Sequence, residues 1–258
     1  MRVPMRILIT NDDGVHARGL EVLEEIARAL SDDIWVVAPE TDQSGVSHSL
    51  SLNDPLRLRE IGPRHFAVKG TPTDCVIMAA RHIIPQGRPD LLLSGVNRGR
   101  NAAEDVTYSG TVAGAIEGAV LGVPSFALSQ AFTSETRKAP HWATALKFGP
   151  DLIRRVLAEG MPRDVLVNIN FPDCAPDEVK GIAVSTQGKR PQELLRIEPR
   201  RDGRGNPYYW IAYERAPAHT ERDGTDLSAL ADNRISVTPL RLNMTDEPFL
   251  TRLAEILG

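Results

Sequence analysis

Short apolar runs alternate along the first 170 residues with longer segments whose apolar residues recur every three or four positions. The short runs predict buried β-strands, and the longer segments predict helices with one apolar face. The predicted strands are residues 6–10, 34–39, 90–94, 125–129 and 165–170, and the predicted helices are residues 18–30, 73–84, 111–121 and 142–157. Because strand and helix alternate, we expect an α/β fold with a Rossmann-like, doubly wound and mostly parallel sheet.

The remaining segments are less regular. Residues 49–68 alternate loosely and contain two prolines, which predicts short strands in a hairpin-like insert. Beyond about residue 188 the chain becomes charged and proline-dotted, before a late strand at 235–240 and a closing helix at 247–257. We therefore expect a main α/β unit of residues 1–187. Residues 188–258 then form a C-terminal arm with the closing strand and helix, within the same domain.

The arm contains one aromatic cluster, Tyr-Tyr-Trp-Ile at residues 208–211. An exposed patch of this kind has three possible uses: a contact between subunits, a hairpin folded onto its own domain, or an element of ligand specificity. We favour the subunit contact, because exposed apolar patches most often mark interfaces.

The composition of the chain excludes several classes of function. The formal net charge is −4 and no dense block of Lys or Arg occurs, so binding to a nucleic-acid polymer is not expected. No run approaches the roughly 18 apolar residues that span a bilayer, and residues 1–6 lead into the first strand without an apolar leader. We therefore expect no membrane association and a cytoplasmic location. Cys75 and Cys174 belong to no paired spacing, which favours two free thiols over a zinc site.

Polar loops follow three of the predicted strands. Asp12 and Asp13 end the first strand, Ser44 lies in the loop after the second, and Asn97 follows the strand at 90–94. Ligands of open α/β sheets bind outside the carboxyl ends of the strands, where these loops converge. Two adjacent carboxylates repel each other there unless a cation offsets the repulsion. Carboxylate, hydroxyl and amide oxygens suit Mg²⁺ or Mn²⁺. The alternative for either aspartate alone is a turn or helix-capping acid before glycine.

The segment Ser109-Gly110-Thr111 stands directly before a predicted helix. Backbone N–H groups at a helix start, together with hydroxyls and a glycine, form an anion site, although a plain helix cap is the alternative. Residues 97–101 add a polar loop with two arginines and Asn101. A cation facing an anion cradle suggests a phosphate ester held between them.

Two common nucleotide-binding motifs are absent from the sequence, and two histidines are weak candidates for the site. No Gly-x-Gly-x-x-Gly follows the first strand and no P-loop lysine motif occurs, which argues against a dinucleotide site and against an ATP-driven machine. His16 and His48 are candidate acid/base groups near the site, but a lone loop histidine is more often structural or merely exposed.

Together, these motifs resemble those of the survival protein SurE family of metal-dependent nucleotidases. The resemblance is continuous from residue 6 to about residue 130 and is weakest over residues 187–222. The matching stretches are residues 7–14, 37–39 with 43–44, 70–75, 94–101 and 109–115, with 168–172, 224–226 and 236–239 nearer the C-terminus.

The resemblance implies a phosphatase for nucleoside 5′- and 3′-monophosphates, with some activity on short polyphosphate. It implies one divalent metal ion, Mg²⁺ or Mn²⁺, held by the residues that match the family's ligands, which are Asp12, Asp13, Ser44 and Asn97. It also implies a pocket in which phosphate is bound by Asn97, Asn101, Ser109, Gly110 and Thr111. The main unit, 1–187, would then be the catalytic one, with assembly into a homodimer or homotetramer through the arms.

On this basis we hypothesise hydrolysis of a phosphomonoester by water that the metal ion activates, with Asp12 and Asp13 as the catalytic residues. One aspartate would act as general base, and a covalent aspartyl phosphate is the less favoured alternative. Two rival functions are a non-catalytic nucleotide sensor using the same pocket and half of a nucleotide-sugar-dependent glycosyltransferase. The glycosyltransferase would need a second, similar domain.

Overall fold

A nine-stranded sheet forms the centre of the computed structural model, which describes residues 5–85, 88–190, 195–213 and 223–258. The strands of this sheet, in chain order, are β1 Ile7–Thr10, β2 Ile34–Pro39, β3 Arg57–Gly62, β4 His65–Lys69, β5 Leu91–Arg98, β6 Ser125–Gln130, β7 Val165–Phe171, β8 Ile182–Val184 and, after two strands of the arm, β11 Ile235–Arg241. Their order in the sheet is β3-β4-β2-β1-β5-β6-β7-β11-β8.

The sheet is mostly parallel. Strands β4, β2, β1, β5, β6 and β7 run parallel, whereas β3 and β11 are antiparallel to β4 and β7. The central strands are fully buried, as in β1 from Ile7 to Ile9 and in β5 from Leu91 to Leu93. Strands covered on both faces read as continuous apolar runs, which is why they were recognisable in the sequence. The predicted doubly wound α/β fold is confirmed.

Helices cover both faces of the sheet. They are α1 Arg18–Arg28, α2 Pro72–Met78, α3 Gly110–Val120, α4 Trp142–Glu159 and α5 Asp226–Ala231, whereas the closing helix, α6 Glu247–Leu257, has no buried residue. Successive side chains of a strand point to opposite faces, so β1 contributes to two cores. Ile7 and Ile9 pack with the apolar stripes of α1 and α4, while Leu8 packs with α2 and α3. No helix in the described part of the chain is long and apolar enough to cross a membrane.

Several predicted boundaries differ from the structure. The helix predicted at 73–84 divides into α2 and a π-helical turn, Ala79–Ile83. The strand predicted at 90–94 continues to Arg98, because its polar end still pairs with β6. The hairpin predicted as an insert, β3–β4, belongs to the main sheet, since β4 pairs in parallel with β2. The short elements β8 and α5, and a 3₁₀ turn at Ala103–Thr107, were not predicted.

The C-terminal arm begins and ends beside the main sheet. Its described part contains an antiparallel hairpin of β9 Leu195–Arg201 and β10 Pro207–Tyr213. Tyr209, Trp210 and Ile211 on β10 are exposed. After the hairpin, β11 enters the main sheet between β7 and β8. Residues 1–4, 191–194 and 214–222, to which some of the sequence predictions apply, lie outside the described residues.

Candidate active site

The candidate site lies where the strand order reverses. Strand β1 is flanked by β2 on one side and by β5 on the other, and chain connections diverge from this point. In open α/β sheets a crevice forms at such a switch point, outside the carboxyl ends of the strands. Asp12 and Asp13 follow the end of β1 by two and three residues, and Asn97 lies near the end of β5. A register irregularity between Ser94 and Asn97 precedes this end of β5.

A cavity of about 290 Å³ opens at this edge. Six of the residues predicted from the sequence line it, namely Asp12, Asp13, Ser44, Asn97, Asn101 and Ser109. The same cavity is lined by residues that sequence reasoning did not single out as site residues, which include Asp42, Asp105, Tyr108, Phe132 and Arg137. Carboxylates therefore meet arginines and aromatic rings in one opening.

Asp12 is the most buried acid of the site, with only 4% of its surface exposed. Its Oδ1 accepts a hydrogen bond from the hydroxyl of Thr111. Burial, together with the neighbouring charges of Asp13 and Asp42, raises the pKa of Asp12 to about 7, against the lowering effect of the Thr111 hydrogen bond. The surrounding residues therefore do not offset the free-energy cost of ionising Asp12.

Asp13 is partly buried beside it. Its Oδ2 accepts a hydrogen bond from the backbone N–H of Arg98, 3.0 Å away. Burial also raises the pKa of Asp13, and the charge of Asp42 adds to the effect, while the contacts with Arg98 lower it. Three carboxylates thus repel one another within a single cavity. Asp42 was missed from the sequence, although it stands two residues before Ser44.

The loop that carries Ser44 is fastened to the end of β1. The backbone N–H of Gln43 donates to the carbonyl of Asp12 at 2.8 Å, and the N–H of Ser44 donates to Oδ1 of Asp42 at 2.7 Å. On the opposite side, Nδ2 of Asn97 donates to the carbonyl of Gly99 at 2.8 Å. Because its amide nitrogen is used within its own loop, the atom that Asn97 can offer to a cation is its oxygen.

This set of donors fits a hard divalent cation. In the part of the chain that the structure describes, no three His, Cys, Asp or Glu side chains are grouped as a metal site, so a cation would also need other oxygen ligands. The hydroxyl of Ser44 and the amide oxygen of Asn97 are of that kind, and Mg²⁺ keeps several waters in most protein sites. The raised pKa values of Asp12 and Asp13 favour a cation independently. The four-ligand set itself stays a prediction.

Helix α3 begins directly against Asp12. The side chain of Ser109 caps the helix by accepting the N–H of Val112 at 3.0 Å, and the N–H groups of Gly110 and Thr111 lie in the first turn, where they have no intrahelical acceptor. A Cβ on Gly110 would lie 2.7 Å from Cβ of Asp12, so only glycine allows this approach. Gly110 and Thr111 therefore contact the side chain of Asp12. Their role in phosphate binding stays a prediction.

Asn101 is held by two residues of a matching stretch to which the sequence analysis assigned no role in the site. Its backbone N–H donates to Oδ1 of Asn170 at 2.8 Å, and its carbonyl accepts from the amides of Asn168 and Asn170 at 2.8 and 3.0 Å. Its own Nδ2 donates to Ser129 at 2.9 Å. Asn168 and Asn170 are fully buried in β7. The sequence did contain a signal for them, since two asparagines stand two positions apart in an otherwise apolar strand.

The loop after Asn101 is also held by the C-terminal region. Oδ2 of Asp226 accepts the N–H of Ala103, and its Oδ1 accepts the N–H groups of Gly188 and Leu227, all at 2.8 Å. The guanidinium of Arg190 lies 2.5 Å from Oδ2 of Asp105, in the cavity wall. Residues on both sides of the β9–β10 hairpin thus contact the loop between Asn101 and Ser109, or the residue that does so.

The two candidate histidines lie apart from the acids. His16 is exposed after β1, and the ring of His48 contacts Glu117 of α3 at 3.0 Å. Neither residue is part of the cavity wall described above. An acid/base role for them has no support in this geometry.

The fold and the site define a doubly wound α/β protein with an oxygen-rich, anionic cavity at its switch point, closed on one side by a helix start. The chain belongs to the survival protein SurE family, whose model matches residues 7–193. It is 68% identical over 255 residues to proteins named 5′-nucleotidase SurE from Bradyrhizobium sp. (strain ORS 278) and Rhodopseudomonas palustris (strain BisB5), with 98% of this chain and 100% of theirs covered. The crystal structure of SurE protein from Aquifex aeolicus is similar, with a TM-score of 0.83 and 39% identity over 98% of this chain and 100% of that one.

Proposed function

We propose that this protein is a metal-dependent 5′-nucleotidase, which hydrolyses nucleoside monophosphates to nucleoside and phosphate. The observation that carries the proposal is the cavity in which the buried Asp12 meets the start of α3, with the partly buried Asp13 beside it. Relatives that are 68% identical over nearly the whole chain carry the name 5′-nucleotidase. Identity at this level over nearly the whole chain supports the same class of reaction in this protein.

The residues present would hold one Mg²⁺ or Mn²⁺ ion through Asp12, Asp13, Ser44 and Asn97. When bound, such an ion polarises phosphoryl oxygens and lowers the pKa of water. One oxygen of each aspartate is already engaged, Oδ1 of Asp12 by Thr111 and Oδ2 of Asp13 by the N–H of Arg98. These contacts fix the orientation of each carboxylate before substrate arrives, which is how a preorganised site lowers a barrier.

The protein's own groups would orient the phosphate. Ser109 and Asn101 line the cavity, and the first turn of α3 offers N–H groups whose dipoles favour an anion. The proton that the attacking water loses would pass to whichever of Asp12 or Asp13 is free to accept it. A covalent aspartyl phosphate stays the less favoured route.

The nucleoside would lie toward the rim of the cavity. The ring of Tyr108 keeps 51% of its surface exposed, and Phe132 and Arg137 line the same opening. An exposed aromatic ring offers a stacking surface to any base, because every base has a π-face. We therefore expect weak base preference. The proposal also includes activity on 3′-monophosphates and on short polyphosphate, which the family resemblance implies.

We further propose that the protein assembles as a homodimer or homotetramer through its arm. The exposed Tyr209, Trp210 and Ile211 on β10 support this, since apolar side chains gathered on one strand favour burial against a second copy. Residues 188–258 would then serve the assembly, and residues 1–187 the reaction.

Phosphate release from AMP, measured with Mn²⁺ or Mg²⁺ and then with excess EDTA, tests the function. We expect turnover with metal, its loss with EDTA, and severe loss in both Asp12→Asn and Asp13→Asn. Near-normal rates in both variants would contradict the site. Turnover of p-nitrophenyl phosphate distinguishes an enzyme from a nucleotide sensor, because a sensor would bind AMP without releasing phosphate from either compound.

A further inference from the structure

Helix α3 contains one charged residue, Glu117, in an otherwise small and apolar sequence. Its side chain keeps only 11% of its surface exposed. Alanine and glycine elsewhere in the helix pack closely on the sheet. A buried carboxylate in such surroundings is costly unless it has a partner. Glu117 lies two turns beyond Gly110, on the helix whose first turn approaches Asp12.

The partner of Glu117 is His48. Nε2 of the His48 ring lies 3.0 Å from Oε2 of Glu117, while the ring keeps 37% of its surface exposed. With Nε2 protonated, the ring donates this hydrogen bond to the carboxylate. His48 stands four residues after Ser44, in the same loop between β2 and β3.

The loop from Gln43 to His48 is held at both ends. At its start, the N–H of Gln43 donates to the carbonyl of Asp12 at 2.8 Å. At its end, Ser47 donates from its N–H to the carbonyl of Tyr108 at 3.2 Å and from its hydroxyl to the carbonyl of Thr107 at 2.6 Å. The His48–Glu117 contact adds a side-chain anchor on the body of α3, beyond these backbone contacts. Ser44 lies between the two attachments.

We propose that His48 is a positioning residue, which together with Glu117 fixes the 43–48 loop and so places Ser44 opposite Asp12 and Asp13. This inference rests on the proposed function, in which Ser44 helps to hold the cation. His48 takes no part in proton transfer, because its ring faces Glu117 outside the cavity wall. Since α3 carries Ser109 at its start, the same contact sets the Ser44 loop relative to the phosphate side of the site.

The consequence concerns cation affinity more than turnover. When the anchor is lost, the loop samples positions in which Ser44 cannot reach the cation, and each such position weakens binding. A cation at saturating concentration restores the held position. We therefore expect a larger dissociation constant for Mn²⁺, with kcat near the wild-type value.

Two substitutions of His48 separate an anchor from a loss of bulk. Gln extends its amide nitrogen about as far as Nε2 and keeps the donor to Glu117, whereas Asn reaches only to the position of Nδ1. Binding of Mn²⁺ to the metal-free protein is measured from the electron paramagnetic resonance of free Mn²⁺, and AMP hydrolysis is measured as a function of Mn²⁺. Thermal unfolding without metal reports on stability separately.

We expect His48→Asn to weaken Mn²⁺ binding roughly ten-fold, which is the lower end of what loss of a supporting contact costs a metal site. His48→Gln should remain near the wild type. In Glu117→Ala, which replaces a buried carboxylate by a residue that suits the helix, Mn²⁺ binding should be weakened similarly. Adding His48→Asn to Glu117→Ala should then have little further effect, as for two partners of one contact.

Three results would overturn the inference alone, provided that the wild type binds Mn²⁺ and hydrolyses AMP. The first is equal Mn²⁺ affinity in His48→Asn and His48→Gln. The second is a lower melting temperature in His48→Asn with unchanged Mn²⁺ affinity, which indicates a purely structural role. The third is a collapse of kcat at saturating Mn²⁺, which indicates a role in the chemistry. A wild type that neither binds Mn²⁺ nor hydrolyses AMP overturns the proposed function and this inference with it.

Discussion

The hydroxyl of Thr111 donates a hydrogen bond to Oδ1 of Asp12, and so joins the start of α3 to the end of β1 across 99 residues of sequence. The contact lowers the pKa of Asp12, which burial raises. It therefore favours the ionised form of a carboxylate that is otherwise destabilised. The hydrogen bond also fixes which oxygen of Asp12 remains for a cation or a water.

Replacing Thr111 by Val should remove this orientation while keeping the shape of the side chain. A hydrogen bond to a charged group contributes about 1.5–3 kcal/mol, which corresponds to a loss of roughly 10- to 160-fold in kcat/KM for AMP. Thr111→Ser keeps the hydroxyl and serves as the matched control. Steady-state kinetics with saturating Mn²⁺ measure the effect, and equal kcat/KM values for the two variants would refute it.

Gly110→Ala tests the close approach between α3 and Asp12. The added Cβ would lie 2.7 Å from Cβ of Asp12, and neither atom is the free end of a flexible side chain. The helix start or Asp12 must therefore shift, and we expect a large loss of AMP hydrolysis. Gly62→Ala is the control, because its Cβ would meet only an ordinary contact at 3.7 Å. Normal activity in Gly110→Ala would mean that the position of Asp12 is not critical.

The raised pKa of Asp12 makes the stability of the metal-free protein depend on pH. The unfolded chain loses this proton near pH 4, whereas the folded chain keeps it up to about pH 7. Between these values the folded state binds more protons, so the free energy of unfolding falls as pH rises. Above pH 7, the ionisation of Asp12 lowers the free energy of unfolding by about 4 kcal/mol.

Melting temperatures of the metal-free wild type and Asp12→Asn, measured from pH 4 to pH 8, isolate this contribution. The variant has no proton to lose, so its advantage over the wild type should grow through this range and level off above about pH 7. A difference that stays constant with pH would show that Asp12 titrates in the folded protein as it does in the unfolded one.

The sequence revealed the parallel strands and the acids at their ends because both are local signals. Ile7–Ile9 is a continuous apolar run, and Asp12 and Asp13 interrupt the pattern directly after it. The observed order places β1 between β2, which the Ser44 loop follows, and β5, which ends one residue after Asn97. Membership of the SurE family was likewise recognisable from short motifs, because each motif is contiguous in the chain.

Contacts between distant segments left no comparable signal. Asn168 and Asn170 hold the backbone of Asn101, and a polar residue in a strand does not show what it will bind. In the sequence, Asp42 is one charged loop residue among several, and only the fold brings it close to Asp13. Helix α5, with six residues, is too short for a periodic pattern to identify. What the sequence missed was therefore the set of side chains that hold the site residues in place.

The longest of these contacts gives a final prediction. Asp226 is fully buried, and its two oxygens accept three backbone N–H groups, from Ala103, Gly188 and Leu227. In Asp226→Asn an NH₂ group replaces one of these acceptors and faces a donor, and an unpaired buried N–H costs about 1–3 kcal/mol. We expect unfolding free energy to fall by that amount, and AMP hydrolysis to fall as well, because Ala103 follows Asn101 by two residues. Asp232→Asn, at the exposed end of α5, is the control for loss of charge. Urea unfolding and kinetics at a temperature where the variant is folded measure the two effects, and full activity in folded Asp226→Asn would show that this contact stabilises the arm without positioning the site.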